Sequence, residues 1–149
     1  MTRILFVCHG NICRSPMAEA VLLHRLNEIG RTDISVASAA TSTEEIGNPP
    51  HPGTRRVLQA ACIPLMPHRA VQLTRADYAA CDYLLGMDAQ NVRNMLRIVG
   101  SDPEKKIYRL PDFTTHPRDI ADPWYTNRFD DTLRDIFLGC DALLRALAE

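Results

Sequence analysis

Val7-Cys8-His9-Gly10-Asn11-Ile12-Cys13-Arg14-Ser15-Pro16 is the stretch from which the fold can be read. The apolar run Ile4-Leu5-Phe6-Val7 precedes it, and Met17, Val21, Leu22, Leu26 and Ile29 follow at helical spacing up to Gly30, a fitting stop. Cys8 therefore ends a buried strand (residues 3–7) and opens a loop into a helix. In an open α/β sheet ligands bind where strand ends and helix N-termini converge. Ser15 suits the N-cap and Pro16 the first helical position. The positive end of that helix would then face Cys8 and Arg14, an arrangement that binds an oxyanion and favours a thiolate.

Outward from this loop, strands and helices alternate. Ile34 to Ser38 reads as a second strand, and 39–53, with Gly47, Asn48, Pro49, Pro50 and Pro52, as a long loop. Arg55 to Cys62 is helical, Arg69 to Gln72 is extended, and Thr74 with Asp77 forms an acidic capping box. Tyr83 to Met87 is a strand, and Asp88 caps a helix carrying Val92, Met95, Leu96 and Val99. Lys106 to Leu110 is a fourth strand, 111–129 a second long loop, and Asp130 to Ala148 a final helix with one apolar stripe. This order implies right-handed crossovers and a three-layer α/β fold, an open sheet of four parallel strands with helices on both faces. Both long loops follow strands, so they emerge at the same sheet edge as the cysteine loop.

The 149 residues read as one domain, 1–149, with no repeats or linkers. Hydrophobic residues make up 46% and charged residues 23%, which argues against disorder. A formal charge of −1 gives no reason to expect nucleic-acid binding. No apolar run reaches membrane-spanning length, and Met1-Thr2-Arg3 leads straight into a strand, so neither membrane nor signal peptide is expected. Five cysteines without a Cys-x-x-Cys spacing fit a reducing cytoplasm and argue against zinc; no metal or cofactor is called for. Cys62, Cys81 and Cys140 are expected to be small buried hydrophobes.

Five residues separate Cys8 from Arg14, enough for a loop whose backbone N–H groups converge on phosphate oxygens. Arg14 would add a bidentate fork, Ser15 a hydroxyl for the sulfur, Gly10 a positive-φ turn and Asn11 an amide brace. Cys8 would attack phosphorus in line. The Walker A lysine and second glycine are missing, and no Gly-x-Gly-x-x-Gly occurs, so a nucleotide cradle is not expected. An acid must protonate the leaving oxygen. Asp122 is preferred, because Pro123 stiffens the chain after it and Trp124 and Tyr125 offer aromatic walls. Asp112 and Asp119 are weaker rivals, and Asp102 should lie at the opposite edge.

Cys8 to Ser15 with Pro16-Met17-Ala18-Glu19, and Asp122-Pro123-Trp124-Tyr125, closely resemble the low-molecular-weight protein tyrosine phosphatase family. The resemblance continues through Ser38-Ala39-Ala40, the prolines of 47–52, His68-Arg69-Ala70, Leu73-Thr74-Arg75 and Met87-Asp88. It implies Cys8 as nucleophile, Arg14 as phosphate clamp and Asp122 as general acid and base. It also implies that Asn11, Ser15, Ser38 and His68 hold the loop, with His9, Gly10, Ile12, Cys13, Glu44, Trp124 and Tyr125 around the substrate. The expected partner is a phosphotyrosine protein, and the chain is expected to be a monomer or weak dimer. Departures fall at Glu44, where many members carry an aromatic, at His51-Pro52-Gly53 and at His9. These positions bear on which peptide enters. Cys13 either packs or, as the resemblance implies, captures an oxidised Cys8 as a disulfide.

Three rivals differ in what they require. An arsenate reductase needs a cysteine relay near mid-chain, where Cys81 has no suitably spaced partner. A phosphoarginine phosphatase resembles this pattern with threonine in place of Ile12. A non-catalytic phosphopeptide-binding module would have lost Cys8, Arg14 or Asp122, and all three are present.

Overall fold

In a computed structural model, residues 1–148 are described; Glu149, the last residue of the expected domain, lies outside them. Four parallel strands, β1 (Thr2–Cys8), β2 (Ile34–Ala40), β3 (Tyr83–Gly86) and β4 (Ile107–Arg109), form one sheet in the order β2-β1-β3-β4. The chain leaves β1 to one side for β2 and returns to the other side for β3. The sheet therefore reverses at β1, and the crevice of an open α/β sheet opens at the carboxyl end of that strand. Cys8 is its last residue.

Side chains alternate across β1, as they must in a pleated strand. Ile4, Phe6 and Cys8 pack into a core with α1 (Arg14–Ile29), α2 (Pro52–Ala60) and α6 (Phe129–Leu147). Leu5 and Val7 pack on the opposite face beneath α3 (Arg75–Ala80) and α4 (Ala89–Val99). Helices on both sides explain why β1 reads as a continuous apolar run rather than an alternating one.

The structure departs from the sequence expectation at several ends, each for a local reason. The helix after the cysteine loop starts at Arg14, with Cys13 at the N-cap and no side chain capping it, so Ser15 is not the cap. Pro16 falls third in that helix, still in the first turn where no N–H is missed. The second helix begins at Pro52 rather than Arg55: proline occupies its first turn and His51 Nδ1 accepts the Gly53 N–H. Pro52 thus starts a helix where its neighbouring prolines suggest a loop. The 111–129 segment is also more ordered than expected. It contains a 3-10 turn (Leu110–Phe113) and a single helical turn, α5 (Pro123–Thr126). Cys140 is buried and Cys81 half-buried, but Cys62 is exposed, past the end of α2 with φ +59°. The expectation of a buried Cys62 fails because its segment leaves the helix in a left-handed turn. No helix among the described residues is long and apolar enough to cross a membrane, and no group of three or more His, Cys, Asp or Glu among them could hold a metal.

Candidate active site

A cavity of about 90 Å³ opens at the end of β1, lined by Cys8, His9, Gly10, Ile12, Cys13, Arg14, Glu44, Glu45, Asp122, Trp124 and Tyr125. The cysteine loop forms its floor. The segments after β2 and β4 form its walls, as a parallel sheet requires.

The loop's turn is made differently from the sequence expectation. Gly10 does not take a positive φ; Asn11 does, at +59°. Asparagine tolerates this conformation better than most residues, and here its amide compensates the strain several times over. Asn11 Nδ2 donates to Ser15 Oγ (2.7 Å) and Ser38 Oγ (3.0 Å), and Oδ1 accepts the Val71 N–H (3.1 Å). The Asn11 carbonyl accepts from His68 Nε2 at 3.0 Å. Gly10 is small for a different reason: a Cβ there would meet Glu45 Cγ at 3.3 Å.

These bonds run outward from Asn11 along two branches. Ser38 Oγ donates to Glu19 (2.6 Å), which leaves its lone pairs for Asn11. Ser15 Oγ, having accepted from Asn11, has its own O–H free for Cys8 Sγ, 3.0 Å away. The Ser15 N–H approaches the same sulfur at 3.4 Å. Two donors thus converge on the Cys8 sulfur. This also explains why Ser15 does not cap its helix: its hydroxyl is already engaged. The side chains of Asn11 and Ser15 are buried behind the pocket wall rather than lining it.

Arg14 is 2% exposed. One terminal nitrogen, Nη1, donates to Asp88 Oδ2 (2.6 Å) and to the Ile120 carbonyl (2.8 Å). The other, Nη2, stands 3.5 Å from Asp122 Oδ2. Nε is buried and has no hydrogen-bond partner. A buried N–H without a partner costs about 1–3 kcal/mol. One edge of the guanidinium is therefore tied to the protein, while the Nε–Nη2 edge, the geometry that grips two oxygens of an oxyanion, remains largely free. Burial opposes the Arg14 charge, but the facing Cys8 and Asp88 acids outweigh it and hold its pKa above the usual value.

Asp122 caps α5, accepting the Trp124 N–H on Oδ1 at 3.0 Å. Buried Pro123 begins that turn, and Trp124 and Tyr125 stand exposed at the mouth. The rival aspartates are occupied elsewhere. Asp112 and Asp119 are bound by Arg109 (2.8 Å each), and Asp119 also accepts the Ala89 N–H. Asp102 accepts from the Lys106 and Ile107 N–H groups and the Tyr78 hydroxyl, at the start of β4 and so at the far sheet edge. Of these four, Asp122 alone lines the cavity.

At the rim His9 Nε2 donates to Glu44 at 2.9 Å. His51 lies one layer behind the mouth, stacked on Phe129 (4.9 Å) and edge-on to Trp124 (5.7 Å), so it can act on the pocket only through that wall. Burial, then the neighbouring Cys8 and Asp122 charges, push the Cys13 thiol up to about 12, so it is protonated at neutral pH. Asp88, Glu19, Glu45 and the Ile120 carbonyl join the site only in the folded structure. Asp88 has its helix-cap position after β3, and both Asp88 and Glu19 fall in stretches that carry the resemblance, but nothing in the sequence pairs them with Arg14 or Ser38; Ile120 and Glu45 carry no signal, because their partners lie far along the chain or, for Glu45, are chosen by the loop's own path.

Residues 3–149 match the family described as "Low molecular weight phosphotyrosine protein phosphatase". The chain is 39% identical over 145 residues to the low molecular weight protein-tyrosine-phosphatase PtpA of Staphylococcus epidermidis, covering 97% of this chain and 92% of that one. It superimposes on the crystal structure of YfkJ from Bacillus subtilis with a TM-score of 0.94 at 36% identity, covering 99% of this chain and 95% of that one. The same fold extends to DARP, a drosophila arginine phosphatase, with a TM-score of 0.91 at 26% identity, covering 100% of this chain and 99% of the other. With a match spanning nearly its whole length, the chain belongs to the low molecular weight phosphotyrosine protein phosphatase family, and it is an enzyme of that family.

Proposed function

We propose that the protein hydrolyses phosphotyrosine in proteins, and small aryl phosphates, through a cysteinyl-phosphate intermediate. The observation that carries this reading is the free edge of Arg14 beside Cys8: a buried guanidinium with Nε unpartnered, next to a sulfur that receives two donors. Arg14 and the loop N–H groups hold the phosphoryl oxygens, charge-assisted hydrogen bonds that strengthen as the transition state builds equatorial charge. Cys8 Sγ attacks phosphorus; the S–P bond forms as the P–O bond to the ring breaks. Asp122, on the opposite wall, gives its proton to the departing phenolate oxygen. It then takes a proton from the water that attacks phosphorus, releasing inorganic phosphate and returning Cys8 as thiolate.

Ile12 and the aromatic wall favour a tyrosine ring over a guanidinium as leaving group. The substrate is therefore expected to be a phosphotyrosine protein rather than phosphoarginine, although DARP shows that the fold itself permits an arginine phosphatase. The test is turnover of p-nitrophenyl phosphate, a phosphotyrosine peptide and a phosphoarginine peptide, with acid quenching to trap phosphocysteine. Cys8→Ser should abolish turnover, and Asp122→Ala should lower it by roughly 10²–10⁴ while phosphate still binds. Retained activity in Cys8→Ser, or an equal or greater rate on phosphoarginine, would overturn the proposal.

A further inference from the structure

The mouth of the pocket carries charge opposite to its floor. Glu44 and Glu45 reach it from the segment after β2, and Asp122, Trp124 and Tyr125 from the segment after β4. Both glutamates are held in place: Glu44 by His9 at 2.9 Å, Glu45 by the Asn48 amide at 2.6 Å with its stem against Gly10. The two aromatics are exposed, Trp124 by 55% and Tyr125 by 82%. Arg14 is the sole arginine or lysine lining the cavity, and it is buried at the base. Arginines of the flanking segments are engaged elsewhere, Arg109 by Asp112 and Asp119, Arg118 by Asp135 and Arg128 by Asp131. Arg55 and Arg69 line a different groove, with Pro49, Pro50 and Met66.

We infer that this mouth selects phosphotyrosines whose neighbouring residues are arginine or lysine. The inference rests on the phosphatase reading above and names the sequence class that the same site admits. The phosphoryl dianion is matched by Arg14 at the base, so the residues beside the tyrosine meet the carboxylates, the His9 paired with Glu44, and the two aromatic rings. A cationic neighbour can pair with Glu44 or Glu45, or lie over the face of Trp124 or Tyr125. An acidic neighbour meets like charge on a rim whose glutamates cannot swing away without losing their own partners. Because the rim is wet, each carboxylate contributes modestly, about 2–5-fold in rate constant, and acts on encounter as much as on bound affinity.

Two phosphotyrosine peptides that differ only in flanks, two arginines against two glutamates, test this directly. Values of kcat/KM are taken at low and high salt, with p-nitrophenyl phosphate as a flank-free reference for every variant. At low salt the basic peptide should be preferred about 10-fold or more. The preference should contract in about 0.5 M salt, where the screening length falls to about 4 Å. Glu44→Gln and Glu45→Gln should each cut the ratio about 2–5-fold, and Glu44→Lys should cut it further. A ratio near one at low salt, a preference for the acidic peptide, or a ratio indifferent to both glutamates overturns the inference while turnover of p-nitrophenyl phosphate keeps the phosphatase reading standing. Loss of turnover on all three substrates overturns that reading, and this inference with it.

Discussion

The base and the mouth of the pocket are built on different physics. At the base, polar atoms are buried and nearly all partnered: Asn11 donates into two branches, through Ser38 to Glu19 and through Ser15 to Cys8, and Asp88 with the Ile120 carbonyl holds Arg14. At low effective dielectric each such contact is strong and each broken one is costly. The mouth consists of exposed carboxylates and rings whose interactions are screened and adjustable. Rate should therefore depend on the base, and substrate choice on the mouth. Groups at the base cannot be changed without disturbing neighbours, whereas groups at the mouth can vary almost independently.

Substitutions can break or sharpen that contrast. The largest effect is expected from Arg14→Lys, which keeps the charge but loses the fork and leaves Asp88 and the Ile120 carbonyl short of a donor. Turnover of p-nitrophenyl phosphate should fall about 10²–10³-fold. A loss smaller than about tenfold would mean that the guanidinium's shape is not what the base supplies. Asp88→Asn comes next. It retains the cap on the Asn91 N–H but sets an amide NH2 against Arg14 Nη1 where an oxygen had accepted, removing the 2.6 Å contact that orients Arg14, so turnover should fall about tenfold with a smaller effect on melting temperature. If turnover holds while the melting temperature drops, Asp88 serves α4 rather than Arg14.

A third test sits at the far sheet edge, where no effect on catalysis is expected. Burial pushes the Asp102 carboxyl up, but the Tyr78 hydroxyl and the Lys106 and Ile107 N–H groups outweigh it and hold it below the usual value. A carboxyl depressed in the folded state adds stability above its unfolded pKa of about 3.9 and loses it as pH falls through the folded value. Wild type should exceed Asp102→Asn by about 1–2 kcal/mol at neutral pH, by urea unfolding, and the gap should close below about pH 4. A gap that persists to about pH 2 would show that shape, not ionisation, is responsible. The smallest effect belongs to the mouth: Trp124→Ala should raise KM for a phosphotyrosine peptide about threefold and leave the maximal rate within about twofold. If the maximal rate instead drops about tenfold or more, the Trp124 side chain also fixes the α5 turn that holds Asp122.

The elements that position the site were legible because their signals are local. An apolar run, a loop ending in Ser-Pro, helical periodicity and a Thr74–Asp77 capping box need only neighbours in sequence, and the structure has β1, α1 and the α3 box accordingly. The departures also share a cause. Ser15 has the look of a cap because Ser-Pro usually is one, but a hydroxyl has one proton to give, and here it faces Cys8. Gly10 is the natural choice for a positive φ, yet Asn11 takes that conformation because four contacts from its surroundings reward it. Cys62 resembles core because free cysteine usually is.

Residue type and spacing along one chain were thus enough for the sheet and for the loop that joins β1 to α1, since strand, turn and helix preferences act over a few positions. The partner of each polar atom was not readable in the same way. Asp88 to Arg14 spans 74 residues and Ile120 to Arg14 spans 106, and such pairs exist only because a parallel sheet gathers the ends of β1, β2, β3 and β4 at one edge. Which donors remain unpaired, as Arg14 Nε does, depends on how those ends pack together. The same holds for the charge at the mouth, since Glu44 and Tyr125 become neighbours of one cavity only after the sheet has formed.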